Sequence, residues 1–155
     1  TKCYCWKNVC DLGFGKMITN QELLETEVDV LVPAAIEDVI TKKNAHKIKA
    51  KYIIEMANGP VASDAEEILE KMGIKIIPDI LANSGGVIAS YFEWLQTKQG
   101  RLWRREKTLK ELSKILEKSF NKVWNLAEKK KISLRKAALI LAVDRVVMAM
   151  YNKNI

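Results

Sequence analysis

No apolar stretch in this chain is long enough to cross a bilayer, and no charged-then-apolar leader of the secretory type opens it. These absences leave a cytoplasmic protein with no membrane partner as the expectation. Histidine is almost missing: His46 is the single one in 155 residues. Cysteine is confined to Cys3, Cys5 and Cys10, an odd number with none elsewhere. That is a poor disulfide framework. The C-x-C-x4-C spacing also lacks a fourth ligand within reach, so no metal site is expected. The three read as reduced cysteines in an atypical leader, and His46 as a surface residue.

What the chain does have is ordinary globular composition, 48% hydrophobic and 29% charged, with a net charge of +7. The length fits one compact domain or part of a larger one. Much of the positive charge lies in two regions, Lys98 to Lys110 and Lys129 to Lys136. A basic patch can bind nucleic acid, but no nucleic-acid motif accompanies it. The expected reading is solvated helix ends, or a face turned to a partner subunit, with no nucleic acid bound.

Residues 1–17 show no clean periodicity. Gly13-Phe14-Gly15 invites comparison with a dinucleotide fingerprint, yet no strand-like run precedes it and Ile18 occupies the third small-residue position. It reads as a loop. From Thr19 the pattern becomes orderly. Thr19 and Glu22 fit a capping box that opens a short helix. Val28 to Val32, Tyr52 to Met56 and Ile74 to Pro78 are strand candidates. A short helix is expected from Thr41 past His46. A second capping box, Ser63 with Glu66, predicts a helix running to Gly73, which suits a left-handed stop. Long helices follow over Val87–Gln99, Arg105–Lys130 and from Ser133 past Met150. The aromatics Tyr91, Phe92 and Trp94 read as core or interface packing. The last helix is apolar on most sides over Ala137–Val143, which predicts deep burial or docking on a neighbour.

Strands alternating with helices mean βαβαβ and a parallel sheet. The fold class is α/β: a partial Rossmann-type parallel sheet of three βα units followed by long C-terminal helices. Three strands make half of a doubly wound sheet, and an unpaired edge is an aggregation hazard, so the chain reads as the back part of a larger fold. Runs of small residues follow each strand: Pro33-Ala34-Ala35, Ala57-Asn58-Gly59-Pro60 and Ala82-Asn83-Ser84-Gly85-Gly86. Ligands of open parallel sheets bind outside the carboxyl ends of the strands. Small residues there let the backbone approach a flat or charged ligand.

These segments resemble glutamate dehydrogenases, of the family that includes the leucine, phenylalanine and valine enzymes. The resemblance rests on Ile18 to Leu24, Val32-Pro33-Ala34-Ala35-Ile36-Glu37, Glu55-Met56-Ala57-Asn58-Gly59-Pro60, Pro78-Asp79-Ile80-Leu81-Ala82-Asn83-Ser84-Gly85-Gly86-Val87, and Arg135-Lys136-Ala137-Ala138. It implies the carboxyl-terminal part of a domain holding NAD or NADP, over residues 18–155, behind the leader 1–17. By resemblance Ala34 and Ala35 would line the cofactor, Asn58 would lie near its ribose and diphosphate, and Asn83 would bond the nicotinamide carboxamide. Val87 and Ser90 would face the substrate, glutamate or 2-oxoglutarate, with the Ser90 hydroxyl near its side-chain carboxylate. On residue chemistry alone, Asn58 and Asn83 read as turn or cap residues, and only the motif match lifts the cofactor reading. The family's substrate domain, its catalytic lysine and aspartate, and the glycine fingerprint with its ribose-binding acid cannot be placed here. The expectation is therefore no catalytic residue in this chain, no turnover by it alone, and either a homo-oligomer or a complementing amino-terminal half as partner. The alternative is a non-catalytic remnant that binds an intact homologue.

Overall fold

The computed structural model describes residues 18–152 and the backbone of a two-stranded antiparallel ladder, β1 (Cys5–Trp6) with β2 (Val9–Cys10). The loop expected at Gly13–Gly15 and the state of the cysteine side chains lie outside the described residues. Next come α1 (Asn20–Leu24), β3 (Val30–Leu31), β4 (Tyr52–Ile54), α2 (Ser63–Lys71), β5 (Lys75–Ile77) and α3 (Asp79–Ala82). Three longer helices follow: α4 (Gly85–Gln99), α5 (Arg105–Lys130) and α6 (Leu134–Asn152).

The sheet is three-stranded and parallel in the order β3-β4-β5. Val30 stands opposite Tyr52 and Tyr52 opposite Lys75, so Leu31, Ile53 and Ile76 share the other face. That face packs on α2 and the β3–β4 connection, in a core with Ile40, Ala45, Ile48, Ala65 and Leu69. On the opposite face, Ile77 joins Leu81, Val123, Ala127, Ala137 and Ala138 beneath α5 and α6. The cover stops there. Val30 and Tyr52 remain 45% and 41% exposed, so the β3 half of this face is bare.

Two local expectations fail because a side chain takes a different hydrogen-bond partner, near in one case and distant in the other. The segment from Thr41 is not a helix but a turn closed by a short 3-10 stretch, Ala45–Lys47. The Thr41 N–H donates to Asn44 Oδ1 at 2.7 Å, and Asn44 Nδ2 donates to the Val39 carbonyl at 2.8 Å. A side-chain amide thus satisfies groups a helix would have used. His46 on this turn is exposed, as expected. The Ser63–Glu66 capping box does not form either. Ala62 is the cap residue of α2, with no side-chain cap bond, and Glu66 turns to a distant arginine instead.

The local signals that hold are self-contained. Thr19 and Glu22 make the reciprocal capping box on α1. Gly73 has φ +81, and the Gly73 and Ile74 N–H groups donate back to the carbonyls of Glu70 and Leu69. This is a Schellman stop. Among the aromatics, Phe92 is buried against Trp103, while Tyr91 and Trp94 stack on each other and stay half exposed. In α6 only Ala137 and Ala138 are buried, and Leu139, Ile140, Val143 and Val146 are exposed. Of the two fates expected for Ala137–Val143, deep burial holds for the alanines alone. No helix among the described residues is long and apolar enough to cross a membrane.

Candidate functional site

The three strands end side by side and hand their chain to one rim. Pro33 follows β3, and its carbonyl accepts from the Met56 and Ala57 N–H groups beyond β4. The Asp38 N–H donates to the Gly59 carbonyl at 2.9 Å. After β5, the single turn of α3 brings Asn83 back toward Asn58, where Asn83 Nδ2 donates to Asn58 Oδ1 at 2.7 Å.

An open groove of about 780 Å³ lies on this rim. Ala35, Asn58, Asn83, Val87 and Ser90 all line it, so five of the six residues singled out in the sequence share one surface. Ile36, Glu37, Met56, Ala57 and Gly86 complete it. Ala34, the sixth, is exposed and lies outside the lining. Val87 and Ser90 are three apart on α4, and Gly86 and Ser90 four apart, so one helix face presents all three.

The groove carries amide groups with free hydrogen-bonding capacity. In the Asn58–Asn83 pair one donor and one acceptor are used on each other. Among the described residues, Asn83 Oδ1 and Asn58 Nδ2 have no partner, which leaves a matched acceptor and donor for a carboxamide or a ribose hydroxyl. A Cβ built on Gly86 would meet nothing of the chain within 4 Å. The chain's own packing therefore does not demand glycine there, and the space above the backbone is free for a ligand.

Beneath the rim lies a charged cluster that sequence reading did not single out. Arg135, near the start of α6, donates through Nη2 to both oxygens of Glu55 at 2.7 Å, through Nη1 to Asp79 Oδ1 at 3.1 Å and through Nε to Glu66 Oε2 at 2.9 Å. Glu55 is fully buried and also accepts from the Asp79 N–H at 2.8 Å. Asp79 accepts in turn from the Gly59 and Ile80 N–H groups. Burial pushes the Glu55 carboxyl above its ordinary range, and the Asp79 N–H and the guanidinium oppose that only in part. Asp79 is held below its range: burial works against this, but two backbone N–H donors and Arg135 outweigh it. Arg135 is partly desolvated, yet Glu55, Glu66 and Asp79 keep its charge favoured. Arg135 and Glu55 belong to stretches that carry the family resemblance, but nothing in the sequence says that they meet.

The family profile of the Glutamate/Leucine/Phenylalanine/Valine dehydrogenases matches residues 7–153. The chain belongs to this family. The match takes in part of the stretch read as a leader. The chain is 49% identical over 141 residues to the glutamate dehydrogenase of Thermotoga maritima, an alignment covering 91% of this chain and 34% of that protein. It is 44% identical over 151 residues to an NADP-specific glutamate dehydrogenase of Synechocystis, covering 97% and 35%. Its backbone superposes on the hetero-hexameric glutamate dehydrogenase of Thermus thermophilus with a TM-score of 0.84 at 30% identity, covering 89% and 33%. The chain thus spans about a third of the length of the relatives it matches.

For this dehydrogenase-family groove, Gly86→Ala is expected to have effects of opposite sign. Alanine in the first turn of α4 should stabilise the chain by about 0.5 kcal/mol, measured by urea denaturation. The added methyl should weaken dinucleotide binding by about fivefold or more if the ligand packs on that backbone, measured by NADH titration.

Proposed function

We propose that this chain supplies the coenzyme-binding wall of a glutamate dehydrogenase, which oxidatively deaminates L-glutamate to 2-oxoglutarate and ammonia. The observation that carries this is the Asn58–Asn83 pair, hydrogen-bonded across a groove that also holds Ala35, Val87 and Ser90. The coenzyme is NAD or NADP, both of which serve relatives of this chain. When bound, it accepts the hydride from the substrate carbon. The chain's own residues do the holding. Asn83 orients the ring through its free carbonyl, Asn58 anchors the neighbouring sugar or phosphate, and Gly86 lets the backbone approach. Val87 shields one side of the reacting carbon from water, and the Ser90 hydroxyl meets the far carboxylate of the substrate. Ala34 and Ala35 contribute small side chains at the rim. Residues 18–155 act as one unit in this reading.

In this reading the groove residues bind and orient, and none of them is assigned the transfer of the substrate's proton. Hydride transfer also needs substrate and coenzyme enclosed together, and this groove is open. The isolated chain is therefore expected to bind coenzyme without turnover. Asn83→Ala should weaken NADH binding about five- to tenfold, the value of one or two lost hydrogen bonds, with little change in stability. An unchanged dissociation constant would remove Asn83 from the site. Glutamate-dependent NAD(P)H formation should appear when the chain is mixed with the separately expressed remainder of a family member. Its absence, with both parts folded and coenzyme bound, would favour the second reading, a non-catalytic module that docks on a homologue. The exposed apolar positions of α6 support such an interface, and they serve equally for a homo-oligomer.

A further inference from the structure

The geometry points to Arg135 as a positioning residue for the Asn58–Asn83 pair, acting through Glu55 and Asp79 from below the groove. We infer that α6 sets the width of the groove by this route; the consequence for coenzyme rests on the reading above. Arg135 does not line the groove. It holds the two points from which both asparagines are suspended. Asp79 Oδ2 accepts from the Gly59 N–H at 2.9 Å, which fixes the turn immediately after Asn58. The Asp79 carbonyl accepts from the Asn83 N–H at 3.0 Å, which closes the single turn of α3 on which Asn83 sits. One aspartate therefore ties down both partners of the 2.7 Å amide pair.

Asp79 is itself fixed from two sides. Its N–H donates to Glu55 Oε2, and its Oδ1 accepts from Arg135 Nη1. Glu55 leads into the Met56–Asn58 segment and is gripped by the same guanidinium. A planar fork reaches these carboxylates at fixed angles. A lysine ammonium keeps the charge but concentrates its three donors on one atom, where the guanidinium makes four bonds from three separate nitrogens to Glu55, Asp79 and Glu66. The third carboxylate, Glu66, bonds Arg135 alone within this network and makes no hydrogen bond to Asn58, Asn83 or Gly59 among the described residues. It is a built-in control: losing it weakens the hold on Arg135 without releasing the rim.

The test uses the 155-residue chain and side-chain amide NMR signals of Asn58 and Asn83, recorded without coenzyme, beside an NADH titration. In Arg135→Lys, the Asn83 amide signal should move toward that of a freely solvated asparagine, and NADH affinity should fall about fivefold. Glu66→Gln should leave the amide signals in place and the affinity within about twofold. A folded Arg135→Lys with unmoved amide signals would overturn the inference. So would a Glu66→Gln variant that shifts them as far, because the effect would then be general loosening. If Arg135→Lys does not fold, Asp79→Asn carries the same test, since one amide oxygen cannot accept from Gly59, Ile80 and Arg135 together. If the unmodified chain binds no NADH, the coenzyme reading fails while the amide signals still decide the role of Arg135.

Discussion

Arg135→Ala should cost about 3–5 kcal/mol of folding stability, the penalty for leaving a buried charge without its partner. Glu55 is fully buried, and the guanidinium is the one cation bonded to it among the described residues. The loss should depend on pH, and both carboxylates give it the same sign. The Glu55 pKa already lies above the ordinary value of 4.5, so its stability contribution is present below that pH and is lost as pH rises through the folded-state value. Removing Arg135 takes away an opposing influence and pushes Glu55 further up, which deepens the deficit at neutral pH. The Asp79 pKa is depressed below 3.8, so its contribution is present above that pH and fades as pH falls. Without Arg135 part of that contribution goes, again at the neutral end. The gap between the two proteins in urea midpoints should therefore be widest near pH 7 and close toward pH 4. A constant gap would mean that the arginine acts by packing its stem, not by its charge.

Leu69→Ala should cost about 2–5 kcal/mol, by lost burial plus the cavity left behind. Leu69 has no exposed surface and fills the space between α2, the 3-10 turn and the Ile53–Ile76 face of the sheet. Its main-chain carbonyl accepts from the Ile74 N–H in the Schellman stop, a bond the substitution leaves in place, so the loss comes from the side chain alone. Domains of this size have total stabilities of about 5–15 kcal/mol, so this one truncation puts folding at risk. A loss under about 1 kcal/mol in urea denaturation would show that the neighbouring side chains collapse into the space. Because the groove lies on the far side of the strand ends, any surviving folded Leu69→Ala protein should keep its NADH affinity.

The parts of this fold legible in the sequence are those decided within a few residues. The Thr19–Glu22 box, the Gly73 stop and the bounds of α5 are set by neighbours along the chain, and all appear where expected. The strands are shorter than their apolar runs. Val28 to Val32 yields only Val30–Leu31, because only these two residues pair with β4, which no run of valines discloses. The Ser63–Glu66 box fails because a long-range partner outbids a local one: Glu66 is 69 residues from Arg135 and partly buried beside it. The groove was legible through motif resemblance, since small residues after strands mark a rim but not what binds there. The clamp below the rim was illegible, for Glu55, Asp79 and Arg135 are each unremarkable charges until three elements meet.

That separation along the chain also sets an order of events. Arg135 and Glu55 lie 80 residues apart, and closing so long a loop comes late and slowly compared with helix or turn formation. The core between α2 and the sheet is complete by Ile76 and can form early. The rim cannot lock until α6 has been synthesised and docked. If Arg135 fixes the rim as inferred, the sheet forms and the strand ends meet during synthesis before the groove becomes competent to bind. Coenzyme binding should consequently be the last property gained on refolding, well after sheet formation is complete.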